Sequence, residues 1–421
     1  MNRKISLGVA IALMAIIAAA TFSITMIYSM QLFGQKVNNI KEREAMYDKL
    51  AEIDKKVGEQ YYGEVDQENL MNYIAAGYVA GLGDKYAAYF TAEEYQDYLD
   101  SLSGAIVGIG IKGSMGTDGY MHISQVYAGS PAEEVGIKAG DMIVAVEGVT
   151  LTTENYSTLI QSVQGEAGTT VNLTIRQGTT DTPMSITRRS VQIPSVNYRQ
   201  IDNVGYIQIT EFNTNTVDQF EQALNNLTQS GVTALVFDVR NNPGGTLDSV
   251  VKILDKLLPE GDIVSATYAD GTTVNLGTSD ANEVALPMMV LTNQDTASAA
   301  ELFAQAIKDY NKGRTVGTQT YGKGSMQSII ELDDGSAIKL TVAHYNAPKG
   351  ENYDGVGVVA DFVVNMTPEQ EQALVDGTLD ETTDPQLAKA LELAKAAASQ
   401  GSLPSPDSSE TTSEASSQAA A

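Results

Sequence analysis

The sequence contains no cysteine and only two histidines, His122 and His344. Without cysteine there are no disulfides, no thiol nucleophile and no zinc site of the Cys/His type. Two histidines leave few candidates for an ordinary Ser-His-Asp arrangement. Positive charge is also scarce: 26 lysines and arginines stand against 53 aspartates and glutamates, a formal charge of −27. No basic stripe is available to meet phosphates, so nucleic acid is not an expected partner. The acidic excess serves solubility. Neither a Walker nor a Rossmann fingerprint occurs, so no nucleotide cofactor is expected, and no metal.

Hydrophobic residues make up 43% of 421, enough for sizeable cores in two or three domains. One long apolar run stands out, in residues 1–28, MNRKISLGVAIALMAIIAAATFSITMIY, behind Arg3 and Lys4. It exceeds the ~7–15 residue core of a cleavable signal and can span a bilayer of about 30 Å. The expectation is a signal anchor over 1–30, single-pass in the cell membrane, with the bulk of the chain outside the cytoplasm. The alternative is cleavage after the AAA at 18–20 and secretion.

Residues 36–103 read as helical and amphipathic, with tyrosines as packing residues. A glycine-punctuated β segment follows over 104–189, with GAIVGIGIKG (104–113) and MHISQVYAGSPAEEVGIKAGDMIVAVEGV (121–149). From 190 to 375 strands and helices alternate: VGYIQIT, TVDQFEQALNNLTQSG, TALVFDV, TLDSVVKILDKLL. That alternation predicts an α/β core with a largely parallel sheet. A helical segment is expected over 376–400. The last stretch, 401–421, is low-complexity and not expected to pack.

Three features could carry chemistry. Ser298 sits in QDTASAAE, between small residues, after the strand-like ALPMMVLT and before a helix-spaced AAELFAQAIKD. Serine there is a favoured N-cap or a nucleophile. Lys323, in YGKGSMQ, stands between two glycines that leave its amine unobstructed. VFDVRNNPGG (236–245) runs from a strand into a turn whose free amides could bind an oxyanion. Together they make an acyl-transfer set of nucleophile, base and oxyanion hole. With histidine scarce, lysine is the natural base, provided its pKa falls from ~10.4 by roughly three units, ~4 kcal/mol of bias against the ammonium. A second serine-lysine pair, Ser249 and Lys252, matches S-x-x-K, but its partner motifs S-D-N and K-T-G are absent and SVVKILDKLL reads as a core-facing helix.

The order GIGI, SPAEEVGIKAGDMIVAVEG, RNNPGG, TASAAE, GKGSMQ over about 40–365 resembles the carboxyl-terminal processing peptidases, tail-specific serine proteases of bacteria and plastids. The intervals agree, with 25 residues from Ser298 to Lys323 and four more to Gln327. The resemblance implies a ClpP/crotonase-like α/β protease core with an inserted PDZ domain. It implies Ser298 as nucleophile, Lys323 as general base and Gln327 as the residue orienting the lysine. The oxyanion hole would come from Gly244 or Gly245 and from Ala299. In the PDZ-like segment it implies that Gly108, Ile109 and Gly110 hold a substrate's C-terminal carboxylate, flanked by Val107 and Ile111 of the binding strand. Arg176 reads as an exposed strand-end residue or one facing the protease domain. His122 and His344 read as packed or surface residues. The stretch 342–361 departs from the family at Ala360 and at the NAP of 346–348, which bears on substrate preference.

The expected partners are unfolded or loosely structured proteins with apolar C-termini, since nothing suggests energy-driven unfolding. A homodimer through residues 40–100 and 384–398 is a further expectation. Two rival readings are a non-catalytic PDZ scaffold in the cell envelope and a Ser-Lys hydrolase of peptidoglycan.

Overall fold

All five residues of the strand Ala234–Asp238, ALVFD, are buried, as a parallel strand covered on both faces requires. The computed structural model containing it describes residues 43–350 and 352–406. The expected anchor over 1–30 and most of the tail over 401–421 lie outside the described residues. Among the described residues no helix is long and apolar enough to cross a membrane. Cα packing divides the chain into two units, Met1–Tyr73 and Ile74–Ala421. The described part of the first is helical over 43–60 and from Gln67 onward, and is mostly exposed.

In the second unit, Ala234–Asp238 is central to a six-stranded sheet. Its neighbours are Val204–Ile209 and Met288–Thr292, both parallel to it, followed by Gly313–Gly317 and Phe362–Val363. The one antiparallel member is the edge strand Val196–Ile201. Helices Thr216–Gln229, Leu247–Asp255 and Ala299–Asp309 pack on one face around Phe212, Phe220, Phe237 and Phe303. Helix Pro385–Gln400 covers the other with Leu387, Ala390 and Leu393. The expected parallel α/β core is therefore present. A second sheet centres on the long strand Ala337–Asn346, which pairs with Ser325–Glu331 and with Gly261–Tyr268.

That second sheet also takes in Ala88–Phe90, antiparallel to residues 337–339. The helical reading of 36–103 fails there. Three residues are too few for a period to register, and the partner strand lies some 250 residues away in sequence. Helix Ala92–Ser103 then starts at a capping box between Thr91 and Glu94 and stops at Gly104, whose φ of 78° suits glycine.

Residues 104–192 build their own core around Ile109, Ile123, Ile143, Leu173, Ile175 and Ile186. Its sheet runs Ile111–Met115, Met121–Val126, Met142–Val146, Thr170–Gln177, Thr180–Thr187, with Ile111–Met115 at an edge. Ala105–Gly108 pairs with Arg189–Gln192 as a separate ribbon where the chain enters and leaves.

A buried ionic group joins the central strand to the C-terminal helix. Arg240 donates to both oxygens of Asp238, at 2.9 and 2.6 Å, and meets Asp384 at 2.8 Å; the three side chains are no more than 4% exposed. Tyr206 Oη adds a bond to Asp238. Removing the cation leaves two buried carboxylates uncompensated, so Arg240→Ala should cost about 3–5 kcal/mol in denaturant unfolding. A loss below 1 kcal/mol would show that the group is not a structural clamp.

Candidate active site

Strand Met288–Thr292 delivers Ser298 to the N-terminus of helix Ala299–Asp309. Ser298 sits at φ 56°, ψ −118°, a region that non-glycine residues enter only when the surroundings hold them there. The holding group is Glu301, fully buried in the first turn. Its Oε2 accepts from the Ser298 N–H at 2.8 Å, while the Glu301 N–H meets the Ser298 carbonyl at 2.9 Å.

The same carboxylate ties in the lysine loop. It accepts from Thr320 Oγ1 at 2.6 Å and from the backbone N–H groups of Gly322 and Lys323 at 2.7 Å each. Asp354 holds the other side of the loop through the Gly324 N–H at 2.9 Å. The serine turn and the lysine loop are thus bound to one carboxylate. The Lys323 amine lies 4.7 Å from the centroid of the Tyr86 ring. Its pKa is lowered by burial first and then by the charge of Lys339, against an upward pull from Glu301 and with a smaller downward one from Lys85.

Gln327 lies on strand Ser325–Glu331 just past a register shift, and its Nε2 donates to Ser325 Oγ at 3.0 Å and Thr341 Oγ1 at 3.2 Å. Its bonds therefore go to hydroxyls and not to the Lys323 amine.

The glycine turn separates its two candidates. Gly244 packs against the serine: a Cβ there would meet Ser298 Cβ at 2.8 Å. Its N–H, however, is taken by Asn242 Oδ1 at 2.8 Å. Among the described residues none accepts from the Gly245 or Ala299 N–H. Gly245 and Ala299 line a narrow cavity with Ser298, Leu247, Leu302, Tyr345 and Tyr353. Two uncommitted amides beside a hydroxyl are what an oxyanion needs. The Tyr353 hydroxyl is buried without a partner among the described residues and hard to ionise, and burial pushes Tyr345 up to about 12.

The remaining expected residues lie elsewhere. Val107 and Gly108 belong to the ribbon paired with Ser190 and Arg189. Ile109 is buried, Gly110 has φ 77°, and Ile111 opens the edge strand. Arg176 makes a two-point bond to Asp181 and stacks on Tyr120. His122 meets Asp118, and His344 lies 3.5 Å from Asp354. Thr246 caps the helix through the Ser249 N–H, the Ser249 hydroxyl accepts from Thr246 Oγ1 and donates to the Asn213 carbonyl, and Lys252 pairs with Asp248 in solvent, so neither is available to the other. Among the described residues no cluster of His, Asp and Glu could hold a metal.

Sequence reasoning missed Glu301, Asn242 and Tyr86. Glu301 was detectable as the acid three residues after a capping serine. Tyr86 gave no signal, because it reaches the site only through tertiary pairing.

Residues 203–364 match the model of peptidase family S41 and residues 122–177 that of the PDZ domain. A Staphylococcus aureus (strain MSSA476) protein named "Probable CtpA-like serine protease" is 32% identical over 349 residues, 82% of this chain and 70% of that one. Its namesake in Staphylococcus haemolyticus (strain JCSC1435) is 33% identical over 358 residues, 84% and 70%. The crystal structure of a Bacteroides fragilis NCTC 9343 protein named "Putative S41 protease" matches with TM-score 0.52 at 20% identity, over 80% of this chain and 91% of that one, which is a likeness of fold. On this identity and coverage the chain belongs to peptidase family S41, as a CtpA-like, carboxyl-terminal processing serine protease that carries a PDZ domain.

Proposed function

We propose that the protein cleaves peptide bonds with Ser298 as nucleophile and Lys323 as general base, on substrates captured by their C-termini at the PDZ domain. The observation that carries this reading is the single buried carboxylate, Glu301, which binds the backbones of both Ser298 and Lys323. Lys323 takes the hydroxyl proton as Ser298 Oγ bonds to the scissile carbonyl carbon, and returns it to the leaving amine as the C–N bond breaks. Water, activated by the same amine, then hydrolyses the acyl-enzyme. The amides of Gly245 and Ala299 receive the oxyanion; Gly244, its N–H already bonded, shapes the turn. Leu247, Leu302 and Tyr345 give the residue before the scissile bond an apolar, narrow seat. Gln327 orients Lys323 once its amide turns from Ser325 and Thr341.

The substrate's last residues add to the free edge of Ile111–Met115, with its carboxylate at the amides of Gly108, Ile109 and Gly110. The core is of the ClpP/crotonase-like type. The anchor over 1–30 holds it at the membrane, facing exported proteins outside the cytoplasm, and residues 40–100 and 384–398 form a homodimer.

The test compares one unstructured peptide ending in an apolar free carboxylate with its C-terminal amide. Loss of the charged hydrogen-bond acceptor should raise KM about tenfold with kcat little changed. Equal KM values would remove the PDZ role, and cleavage by Ser298→Ala would remove the nucleophile.

A further inference from the structure

Three lysines converge on the site from three segments, and none of them has an ion pair among the described residues. Lys85 and Lys323 both put their amines 4.7 Å from the centroid of the Tyr86 ring, so the two amines lie within ten ångström of each other. Lys339 lies over Phe90 and Tyr98, 5.4 and 5.5 Å from their centroids. On its strand Lys339 is two residues from Thr341, so the pleat turns both to one face. Their register partners Ile329 and Gln327 share that face, and Gln327 is bonded to Thr341 across it. The turn carrying Lys85 and Tyr86 is fastened to the same strand by Asp84, which accepts the Thr341 N–H.

In a chain with 53 acidic residues, three lysines without a carboxylate partner among the described residues, two over Tyr86 and the third over Phe90 and Tyr98, need a reason. The charged and titratable groups that face Lys323 are these. Lys85, Tyr86 and Asp84 come from the turn before Ala88–Phe90, and Lys339 from the long strand. Glu301 comes from the serine helix, Tyr321 from the lysine loop, and Asp354 with its partner His344 from across that loop. Asp84 and Asp354 are engaged by backbone N–H groups, and the Glu301 oxygens are shared by four donors.

We propose that Lys339 and Lys85 are positioning residues that keep the Lys323 amine in its uncharged, proton-accepting form. The inference rests on the role of Lys323 as general base given above. A like charge nearby disfavours protonation, and burial of the amine is only partial, so the neighbours supply what desolvation does not. They act on the return step as well. Once Lys323 has taken the Ser298 proton it is a third ammonium beside two others, and it gives that proton to the leaving amine more readily. Lys339 is the stronger of the two, because Lys85 is exposed and screened by water and salt.

The experiment is the pH dependence of kcat/KM for the full chain between pH 7 and 10.5, above the ordinary histidine range. Lys339→Met keeps the apolar stem over Phe90 and Tyr98 and removes only the charge. The sign is fixed: losing a cation raises the Lys323 pKa, so less amine is free at neutral pH. The rising limb should move up by about one unit. Activity should fall about tenfold at pH 7 and converge with the parent above the limb. Lys339→Arg should keep the parental profile, and Lys85→Met should shift it less, with the shift vanishing in high salt. A uniform loss at every pH in both Lys339 variants, or a limb that does not move, would overturn the proposal and leave Lys339 as an aromatic clamp. Lys323→Ala is measured alongside: if it is inactive while the Lys339→Met limb stays in place, only this inference fails. An active Lys323→Ala sinks the general-base reading itself.

Discussion

Lys323→Ala should lower kcat by about 10²- to 10⁴-fold at neutral pH, with the thermal midpoint and peptide capture unchanged. Ser298→Ala should lose about 10⁴-fold or more, and the double variant should be no worse than Ser298→Ala alone, because the two groups act in one step. The reason for the first loss is that serine's hydroxyl is a poor nucleophile until its proton has somewhere to go. Neither histidine offers a substitute: His122 is held by Asp118 in the PDZ domain, and His344 faces Asp354. The rate should rise with pH as Lys323 deprotonates, from a pKa that burial and Lys339 have already lowered. Single-turnover cleavage of an unstructured peptide, followed with a melt of each variant, measures both halves of the expectation. Activity retained in Lys323→Ala, with the parent's rate limb unmoved, would transfer the base role elsewhere.

Glu301→Ala should fail in stability and catalysis together. The carboxylate accepts from the N–H groups of Ser298, Gly322 and Lys323 and from Thr320 Oγ1, and the Gly322 bond is fully buried. Removing it leaves several buried donors without an acceptor, a cost of about 3 kcal/mol or more at roughly 1–3 kcal/mol for each. The strained backbone of Ser298 then has nothing to enforce it, and the lysine loop loses its tether. A displacement of about 1 Å between the two groups is worth about 10²-fold in rate. Glu301→Gln is nearly as damaging, since its amide NH₂ must face donors. Asp in its place, one methylene shorter, should recover part of the stability before it recovers rate. Denaturant unfolding and kcat, measured on all three, check this. A variant that loses stability but keeps kcat at a temperature where it is folded would show that Glu301 holds the fold and not the geometry of the site.

The parallel core was legible because both signals it needs are local. TALVFDV reads as a buried strand and TVDQFEQALNNLTQSG as a helix from a handful of residues. Ser298 and Lys323 stood out as candidates only in combination, through their order and spacing with the glycine turn, since a capping serine and a glycine-flanked lysine are each ordinary alone. Glu301 stood three residues from the serine in plain view, yet its four donors come from both the serine turn and the lysine loop, and that convergence is not written in either segment. The choice between Gly244 and Gly245 was closed to sequence for a similar reason. It turns on where one side chain, Asn242, sends its oxygen.

By itself, then, the sequence determined the elements, their alternation and the residue types of the site, since these follow from short-range periodicity and from what serine, lysine and glycine can do. Only the tertiary structure decided which amide stays free, which carboxylate binds the serine and lysine segments, and which aromatic ring lies under the lysine. Tyr86 comes within reach because Ala88–Phe90 pairs with residues 337–339, and a pairing across so long a stretch of chain leaves no periodic trace in the segment that makes it.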